Sequence, residues 1–269
     1  MPAFIEPPTP YPEVNCLLSE VLAGIKPVLG EHLIGMYLDG SLACGSFDQA
    51  SDIDFVVVTD QDVAGDLFTA LQAMHDRISI FDSIWSIQLE GSYISQHAIR
   101  RYDPEHVLHP NLERGLGERL KMAIHDETWA VHRHILRQRG ITLLGPPPQS
   151  LIDPVSPVEL KQAMLILLNG WATHILNHPE VIDYLGYQSY TVLSLCRALY
   201  TLQSGEIATK PEAIRWALEN LDKRWIELIE HAWEGRLASG PQAQPEDIQG
   251  TRDLIQYAIE RSREFEVRI

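Results

Sequence analysis

The hydrophobic positions of this chain follow two different periods, and the change between them divides it into two parts. In the first part, short apolar runs with strand spacing stand between segments with helical spacing. The proline-rich residues 1–12 predict an extended arm, and residues 102–119, rich in His, Pro, Gly and Arg, predict a loop. The other predicted elements are strands at 33–38, 53–58, 85–93 and 141–144, and helices at 15–29, 65–74 and 127–139.

Two of the predicted strands have opposite patterns. Residues 53–58, IDFVVV, are nearly all apolar and mostly β-branched, which predicts a strand buried on both faces. Residues 85–93 alternate between apolar and polar side chains, which predicts a strand with one face in water. Glu90 falls on that polar face.

The second part of the chain has only the helical period. Ser156-Pro157-Val158-Glu159 and Thr209-Lys210-Pro211-Glu212 are both capping boxes, in which a hydroxyl and a glutamate satisfy the first backbone N–H groups of a helix. Further helices are predicted at 189–202, 224–236 and 246–264.

A linker candidate, Gly145-Pro146-Pro147-Pro148, stands where the period changes. We therefore predict an α+β protein with two domains. Residues 1–148 are expected to form an α/β domain with a small mixed sheet. Residues 149–269 are expected to form an all-α helical bundle.

Acidic residues outnumber basic ones, with 37 Asp and Glu against 21 Lys and Arg, for a net charge of −16. This excess of acidic residues argues against general nucleic-acid binding, because phosphate contacts need clustered lysine and arginine. It is compatible with a cationic small molecule or a divalent metal as partner, although many acidic enzymes bind neither.

The three cysteines have no C-x-x-C spacing, which argues against a disulfide framework and indicates a reducing compartment. The N-terminus lacks the basic start and apolar run of a signal peptide. The longest apolar run, residues 163–168, is far shorter than the roughly 20 residues that span a bilayer. We expect a cytoplasmic protein without a membrane partner.

The candidate chemistry is concentrated in residues 39–58, DGSLACGSFDQASDIDFVVV. Gly40 and Ser41 stand in a turn after a strand, where glycine lets the backbone approach an anion. Asp52 and Asp54 are two residues apart on an extended chain, so both carboxylates point to the same side. Adjacent carboxylates repel each other unless a cation lies between them, and Mg²⁺ suits that position. The two aspartates alone are also explained as turn and strand-end residues.

Gly40-Ser41 followed by Asp52 and Asp54 on a buried strand resembles the G-S-x(n)-D-x-D signature of the DNA polymerase β-like nucleotidyltransferase superfamily. Residues 189–218 are similar to the C-terminal helical domain of the streptomycin and spectinomycin adenylyltransferases, and residues 129–146 fit the same family. The resemblance implies an Mg²⁺-dependent enzyme of the antibiotic-resistance type. It would transfer AMP from ATP to a hydroxyl of an aminoglycoside or aminocyclitol.

The resemblance also implies site residues. Asp52, Asp54 and Glu90 are expected to hold two Mg²⁺ ions, with Glu90 also acting as the general base on the acceptor hydroxyl. Acceptor contacts are expected from Glu90 and Asp183. The expected nucleotide-binding residues are Gly40, Ser41, Ser51, Asp126, Arg197 and Lys210.

Three of these residues also stand out without the resemblance, each with a simpler alternative. Glu90 either faces the cleft of the aspartates or is a solvated surface glutamate. Arg197 lies in an otherwise apolar helix, where it is either paired inside the protein or reaches for an anion. Lys210 directly follows the N-cap Thr209, where the helix dipole disfavours a cation unless an anion binds there; the alternative is a solvated lysine.

The chain departs from the family where the drug is bound. Residues 102–120 contain no tryptophan to match the acceptor-site tryptophans of the streptomycin-modifying members, and His178 stands near where another is expected. Two alternatives therefore stay open for the acceptor, another small hydroxyl compound or a protein or RNA target. A third alternative, for the function itself, is a nucleotide-binding module without catalytic activity. We expect a monomer or a weak homodimer.

Other residues receive structural interpretations. The histidines at 125, 132 and 134 are expected on a helix surface, and Tyr190 is expected in the core. His174 and His178 have the spacing of one helix face but lack a third metal ligand.

Overall fold

The computed structural model describes residues 6–237 and 242–266, so part of the predicted N-terminal arm, residues 1–5, lies outside the described residues. The chain divides into two compact units, residues 1–154 and 155–269. That residues 1–148 and 149–269 form two domains that fold independently remains a prediction. Among the described residues, no helix has both the length and the apolar character needed to cross a membrane.

The first unit is built around one six-stranded sheet. Its strands are β1 (Leu33–Leu38), β2 (Ile53–Thr59), β3 (Leu89–Ser95), β4 (Leu108–Leu112), β5 (Lys121–Ile124) and β6 (Ile141–Leu144). They lie in the order β5-β4-β3-β2-β1-β6. Strands β2 and β3 are parallel, and every other neighbouring pair is antiparallel, so the sheet is mixed. The helices of this unit are α1 (Pro12–Leu29), α2 (Gly40–Ala43), α3 (Gly65–Ile78), α4 (Gln96–Arg100), α5 (Ala130–Arg139) and α6 (Pro148–Leu151).

Strand β2 is buried on both faces, as its sequence predicts. Phe55 and Val57 belong to the larger core, which also includes α1 and α3. Val56 and Val58 belong to a second core on the opposite face, together with Trp129. Because successive side chains of a strand alternate between faces, one apolar run supplies side chains to both cores. The polar residues at the start of the strand are not part of either core.

Strand β3 differs from the prediction for residues 85–93. Residues Ser86–Gln88 form a 3₁₀ turn, and the strand begins at Leu89 and continues to Ser95. The predicted wet face was wrong, because Ser92 is only 4% exposed. Its hydroxyl is satisfied internally, by Asn111 Oδ1 at 2.6 Å and by His125 Nε2 at 3.2 Å.

The predicted loop at 102–119 also needs correction, because it contains β4. The sequence of this strand, LHPNL, lacks the β-branched residues by which a strand is recognised. It forms by pairing with two neighbours, Gly91 with Leu112 on one side and Pro110 with Met122 on the other.

The second unit is helical throughout the part of the chain that the structure describes, apart from an isolated bridge between Tyr184 and Gln242. Its helices are α7 (Pro157–Leu167), α8 (Thr173–Asn177), α9 (Leu185–Ser204), α10 (Lys210–Asn220), α11 (Ile226–Gly235) and α12 (Pro245–Glu266). Among the described helices α9 has the most buried residues, and it packs against α7, α10, α11 and α12. Both predicted capping boxes are present, on α7 and α10. The α+β class with a helical C-terminal region is confirmed.

Candidate active site

Three carboxylates converge at the start of the two parallel strands. Asp54 of β2 stands directly opposite Glu90 of β3 in the register of the pair. Asp52 precedes β2 by one residue, and each of the three side chains has an oxygen within 4.8 Å of the other two. We call Asp52, Asp54 and Glu90 the carboxylate cluster. The structure thus brings together the three acidic residues that the sequence singled out.

The turn at Gly40 lies directly against this cluster. Gly40 has a φ of +58°, and a Cβ built there would stand 1.9 Å from Oδ2 of Asp54. Glycine is required at this position both by the backbone conformation and by the close approach of the carboxylate. The next residue, Ser41, has a buried hydroxyl without a hydrogen-bond partner among the described residues. A buried polar atom left in this way points to a ligand that completes the site.

A fourth acid, Asp39, is buried and adds negative charge beside the cluster, and the sequence did not single it out for chemistry. It is 1% exposed, and its backbone N–H donates to the Asp54 carbonyl at 3.0 Å. Its Oδ2 accepts a 2.7 Å hydrogen bond from Nδ1 of His132 on α5. Burial opposes a charge on His132, but the bond to Asp39 and the surrounding carboxylates outweigh it and raise its pKa. The imidazolium therefore offsets part of the local negative charge.

The placement of His125 on a helix surface was wrong, whereas His132 lies exposed on α5 as predicted. His132 bonds Asp39, although 46% of its side chain is still exposed. His125 is 5% exposed and stacks on Trp129, with ring centroids 4.0 Å apart. Burial lowers the pKa of His125 to about 3, so its ring is neutral. The local sequence gives no signal for the contact between His132 and Asp39, because the two residues are 93 positions apart.

The negative charges of the carboxylate cluster repel one another. Burial, followed by the charges of Asp39, Glu90 and Asp52, raises the pKa of Asp54 to about 8. Burial and the charge of Asp52 also raise the pKa of Glu90. A divalent cation would remove this repulsion, and oxygen ligands from a few carboxylates are what Mg²⁺ prefers. The residues present therefore fit an Mg²⁺ site.

Arg114 forms an ion pair with Asp52 at the edge of the cluster. It follows β4 in the region predicted as a loop, and 46% of its side chain is exposed. The arginine offsets the charge of Asp52, and it also opposes the rise in the pKa of Glu90. The composition of residues 102–119 includes arginine, but nothing in the local sequence selects Arg114.

Ser51 and Asp126 have well-defined contacts within the protein. The Ser51 hydroxyl donates to Oδ1 of Asp48 at 3.0 Å and accepts from the Asp48 N–H at 2.9 Å, which fixes the turn before the cluster. The Asp126 carboxylate caps the 3₁₀ turn Glu127–Trp129 by accepting from the Thr128 N–H at 2.9 Å. Their contacts with a nucleotide stay predictions.

The second unit contains the two predicted phosphate-binding cations. Arg197 lies on α9, and its Nε donates to the Ala208 carbonyl at 3.3 Å. Lys210 is the first residue of α10, two positions after Ala208. The hydrogen bond therefore holds Arg197 against the segment that precedes α10, the helix that begins at Lys210.

An aromatic cluster of Trp171, Tyr187 and Tyr190 also lies in the second unit, and its two tyrosines are exposed. Trp171 Nε1 donates to Tyr187 Oη at 3.1 Å, and the rings of Trp171 and Tyr190 meet edge to face at 5.9 Å. Tyr190 is 45% exposed, so the core position predicted for it was wrong. Trp171 belongs to the π-helical turn Leu168–Ala172, a feature found frequently at functional sites. The predicted acceptor contact, Asp183, is exposed at the end of the 3₁₀ turn Pro179–Asp183.

Comparison with known proteins gives consistent matches along most of the chain. A family model described as "Aminoglycoside adenylyltransferase, C-terminal domain" matches residues 150–261. A spectinomycin 9-adenylyltransferase of Staphylococcus aureus is 25% identical over 224 residues, which are 80% of this chain and 82% of the relative. An aminoglycoside (3'') (9) adenylyltransferase of Shigella flexneri is 28% identical over 250 residues, which are 84% of this chain and 89% of the relative.

A solved structure has the same fold. It is a spectinomycin adenyltransferase from Enterococcus faecialis, solved with ATP and spectinomycin, which superimposes with a TM-score of 0.73 at 18% sequence identity. The match covers 92% of this chain and 98% of that one. With the family model on the helical region and the relatives that span both units, these findings confirm the resemblance seen in the sequence. This chain is similar to aminoglycoside adenylyltransferases over most of its length, and its residues 150–261 match the C-terminal domain of that family.

Proposed function

We propose that this chain is an Mg²⁺-dependent nucleotidyltransferase that moves AMP from ATP to a hydroxyl group of an aminoglycoside or aminocyclitol. The observation that carries the proposal is the carboxylate cluster, Asp52, Asp54 and Glu90, against the turn at Gly40. Similarity to the aminoglycoside adenylyltransferases supports the reaction class. The three acids are all present, which argues against a nucleotide-binding module without catalytic activity.

The chemistry follows from the roles of the acidic side chains. Asp52, Asp54 and Glu90 would hold Mg²⁺, which when bound neutralises the charge of the triphosphate and of the departing pyrophosphate. The Glu90 carboxylate accepts the proton of the acceptor hydroxyl. The acceptor oxygen forms a bond to the α-phosphorus, and the bond from that phosphorus to the bridging oxygen of pyrophosphate breaks.

The remaining predicted residues bind the nucleotide. Gly40 lets the backbone come close to the triphosphate, and the buried Ser41 hydroxyl gains there the partner that it lacks. Arg197 and Lys210 supply positive charge to the phosphates. Ser51 and Asp126 are proposed as further nucleotide contacts.

The acceptor would bind through the aromatic cluster and Asp183. An aminoglycoside carries several ammonium groups, and tyrosine and tryptophan faces attract cations with about 0.5–2 kcal/mol each. Asp183 offers a carboxylate in the same part of the chain, two residues before α9. An aromatic surface with an adjacent acid suits a polycationic small molecule, and the net charge of −16 favours its approach.

Incubation with MgATP and a panel of aminoglycosides tests the proposed reaction. We expect at least one compound to gain a single adenylyl group, measured by mass spectrometry of the products. Measurable ATP binding without modification of any compound on the panel would contradict the antibiotic as acceptor. In that case AMP on another small hydroxyl compound, or on an added protein or RNA, would identify the alternative.

Lys210→Ala should weaken ATP binding by about 1–3 kcal/mol, roughly 5- to 150-fold in Kd, because a charge-assisted contact with phosphate is lost. Isothermal titration calorimetry with MgATP measures the change. Lys223→Ala is a matched control, because Lys223 also begins a helical turn in the second unit and has no proposed role. Equal ATP affinity in wild type and Lys210→Ala would show that Lys210 is a surface lysine.

A further inference from the structure

A second group of metal-ligating side chains lies at the opposite end of β3 from the carboxylate cluster. Glu90 stands near the start of β3, and Ser95 ends it, about 16 Å further along at 3.3 Å per residue. The helix α4 follows at once and carries His97, and the loop after it carries Asp103 and His106. These three residues have no part in the proposed transfer reaction.

The donor atoms of the group are already arranged around one point. Nε2 of His97 lies 2.9 Å from Oδ2 of Asp103, and Nδ1 of His106 lies 3.0 Å from the same oxygen. Ligand atoms from all three residues lie within 4.8 Å of one another. In a tetrahedral zinc site with bonds of about 2.0–2.1 Å, neighbouring ligand atoms stand about 3.3 Å apart. The two measured separations would therefore need to widen by only a few tenths of an ångström.

Backbone and side-chain contacts hold these ligands in place. The Glu105 N–H donates to Oδ1 of Asp103 at 3.0 Å, so the other oxygen of the carboxylate, Oδ2, is directed to the two imidazoles. The His106 N–H closes the turn on the Asp103 carbonyl at 3.1 Å. The His106 carbonyl in turn contacts Nε2 of His109 at 3.0 Å. Such outer contacts fix the orientation of ligands in known metal sites.

We propose that His97, Asp103 and His106 form a binding site for one zinc-type divalent cation, with a fourth position open to solvent. Two imidazoles and one carboxylate select zinc or a neighbouring transition metal, because Mg²⁺ and Ca²⁺ prefer oxygen ligands. The cation would connect the end of α4 to the turn at residues 103–106. It would thereby brace the segment between β3 and β4, which leads to Arg114 beside the carboxylate cluster.

Titration of tag-free, EDTA-treated full-length protein with Zn²⁺ or Co²⁺, in the absence of ATP and acceptor, tests the site. We expect one equivalent of Co²⁺ with the absorption bands of a tetrahedral complex, and a higher Tm with Zn²⁺. His97→Gln and His106→Gln should each weaken Zn²⁺ binding about tenfold or more in calorimetry. Circular dichroism checks that the two variants are folded, and both positions are exposed enough to tolerate glutamine.

Two controls separate this site from other sources of binding. His231→Gln changes a histidine that forms a 3.0 Å pair with Asp247 on the surface of the second unit, outside the proposed ligand set, and should bind Zn²⁺ like the wild type. Asp54→Asn alters the carboxylate cluster and should keep the cobalt bands, so failure of the transferase proposal would leave this result unchanged. Absence of Zn²⁺ binding, or equal binding in wild type, His97→Gln and His106→Gln, would overturn the proposal.

Discussion

Glu90→Gln should lower kcat for AMP transfer by about 10²–10⁴-fold, the usual contribution of a general base, while ATP still binds. Glutamine has nearly the same shape as glutamate, but its amide cannot accept the proton of the acceptor hydroxyl. Glu90 stands opposite Asp54 where β2 and β3 pair, so the substitution should leave the fold intact. A steady-state assay of pyrophosphate release, with ATP affinity measured by calorimetry, separates loss of chemistry from loss of binding.

Glu113→Gln is the matched control for this experiment. Glu113 is an acid whose charge is felt by Glu90, but its carboxylate is paired with Lys121 at 2.7 Å and half exposed. Its substitution should change kcat only a few fold. If Glu90→Gln retained more than about a tenth of wild-type kcat, the general base would have to be another residue.

Asp54→Asn should abolish transfer and at the same time stabilise the metal-free protein. Loss of a metal-binding carboxylate is expected to cost about 10²-fold or more in kcat, since metal stabilisation of the transition state amounts to several kcal/mol. In the metal-free protein the same carboxylate is destabilising, because its pKa is raised to about 8 from an ordinary 3.8 by burial and by three neighbouring acids. Asparagine removes that charge and keeps the shape of the side chain.

The gain in stability should depend on pH in a defined direction. A carboxyl group with a raised pKa in the folded state costs nothing below its unfolded pKa, near 4, and costs increasingly more as the pH rises towards 8. We therefore expect Asp54→Asn and wild type to have similar Tm values near pH 4. Near pH 8 the variant should be more stable by roughly 1–3 kcal/mol, or several degrees in Tm, in EDTA.

Two further measurements test the cause of this effect. Asp52→Asn should give no comparable gain, because the charge of Asp52 is already offset by Arg114. Mg²⁺ should raise the Tm of the wild type and have little effect on Asp54→Asn. A Tm difference between wild type and Asp54→Asn that stayed constant from pH 4 to pH 8 would contradict the account of charge repulsion at this site.

The sequence determined those parts of the site that one short segment encodes. Asp52, just before β2, and Asp54, in β2, point to the same side because side chains two apart on an extended chain do so, and the apolar run that follows them predicts the buried strand. The capping residues Ser156 and Thr209 likewise act within one helical turn, and both capping boxes are present as predicted. Local geometry was sufficient for these features.

The tertiary structure decided which distant residues complete the site. His132 meets Asp39 across 93 positions of the chain, and Arg114 meets Asp52 across 62. Strand β4 exists because β3 and β5 pair with it, although its own sequence contains proline and lacks β-branched residues. A periodic pattern records only which face of an element is buried. Which residue packs against that face depends on how separate segments of the chain come together. The charge of each acid in the cluster depends on the same packing.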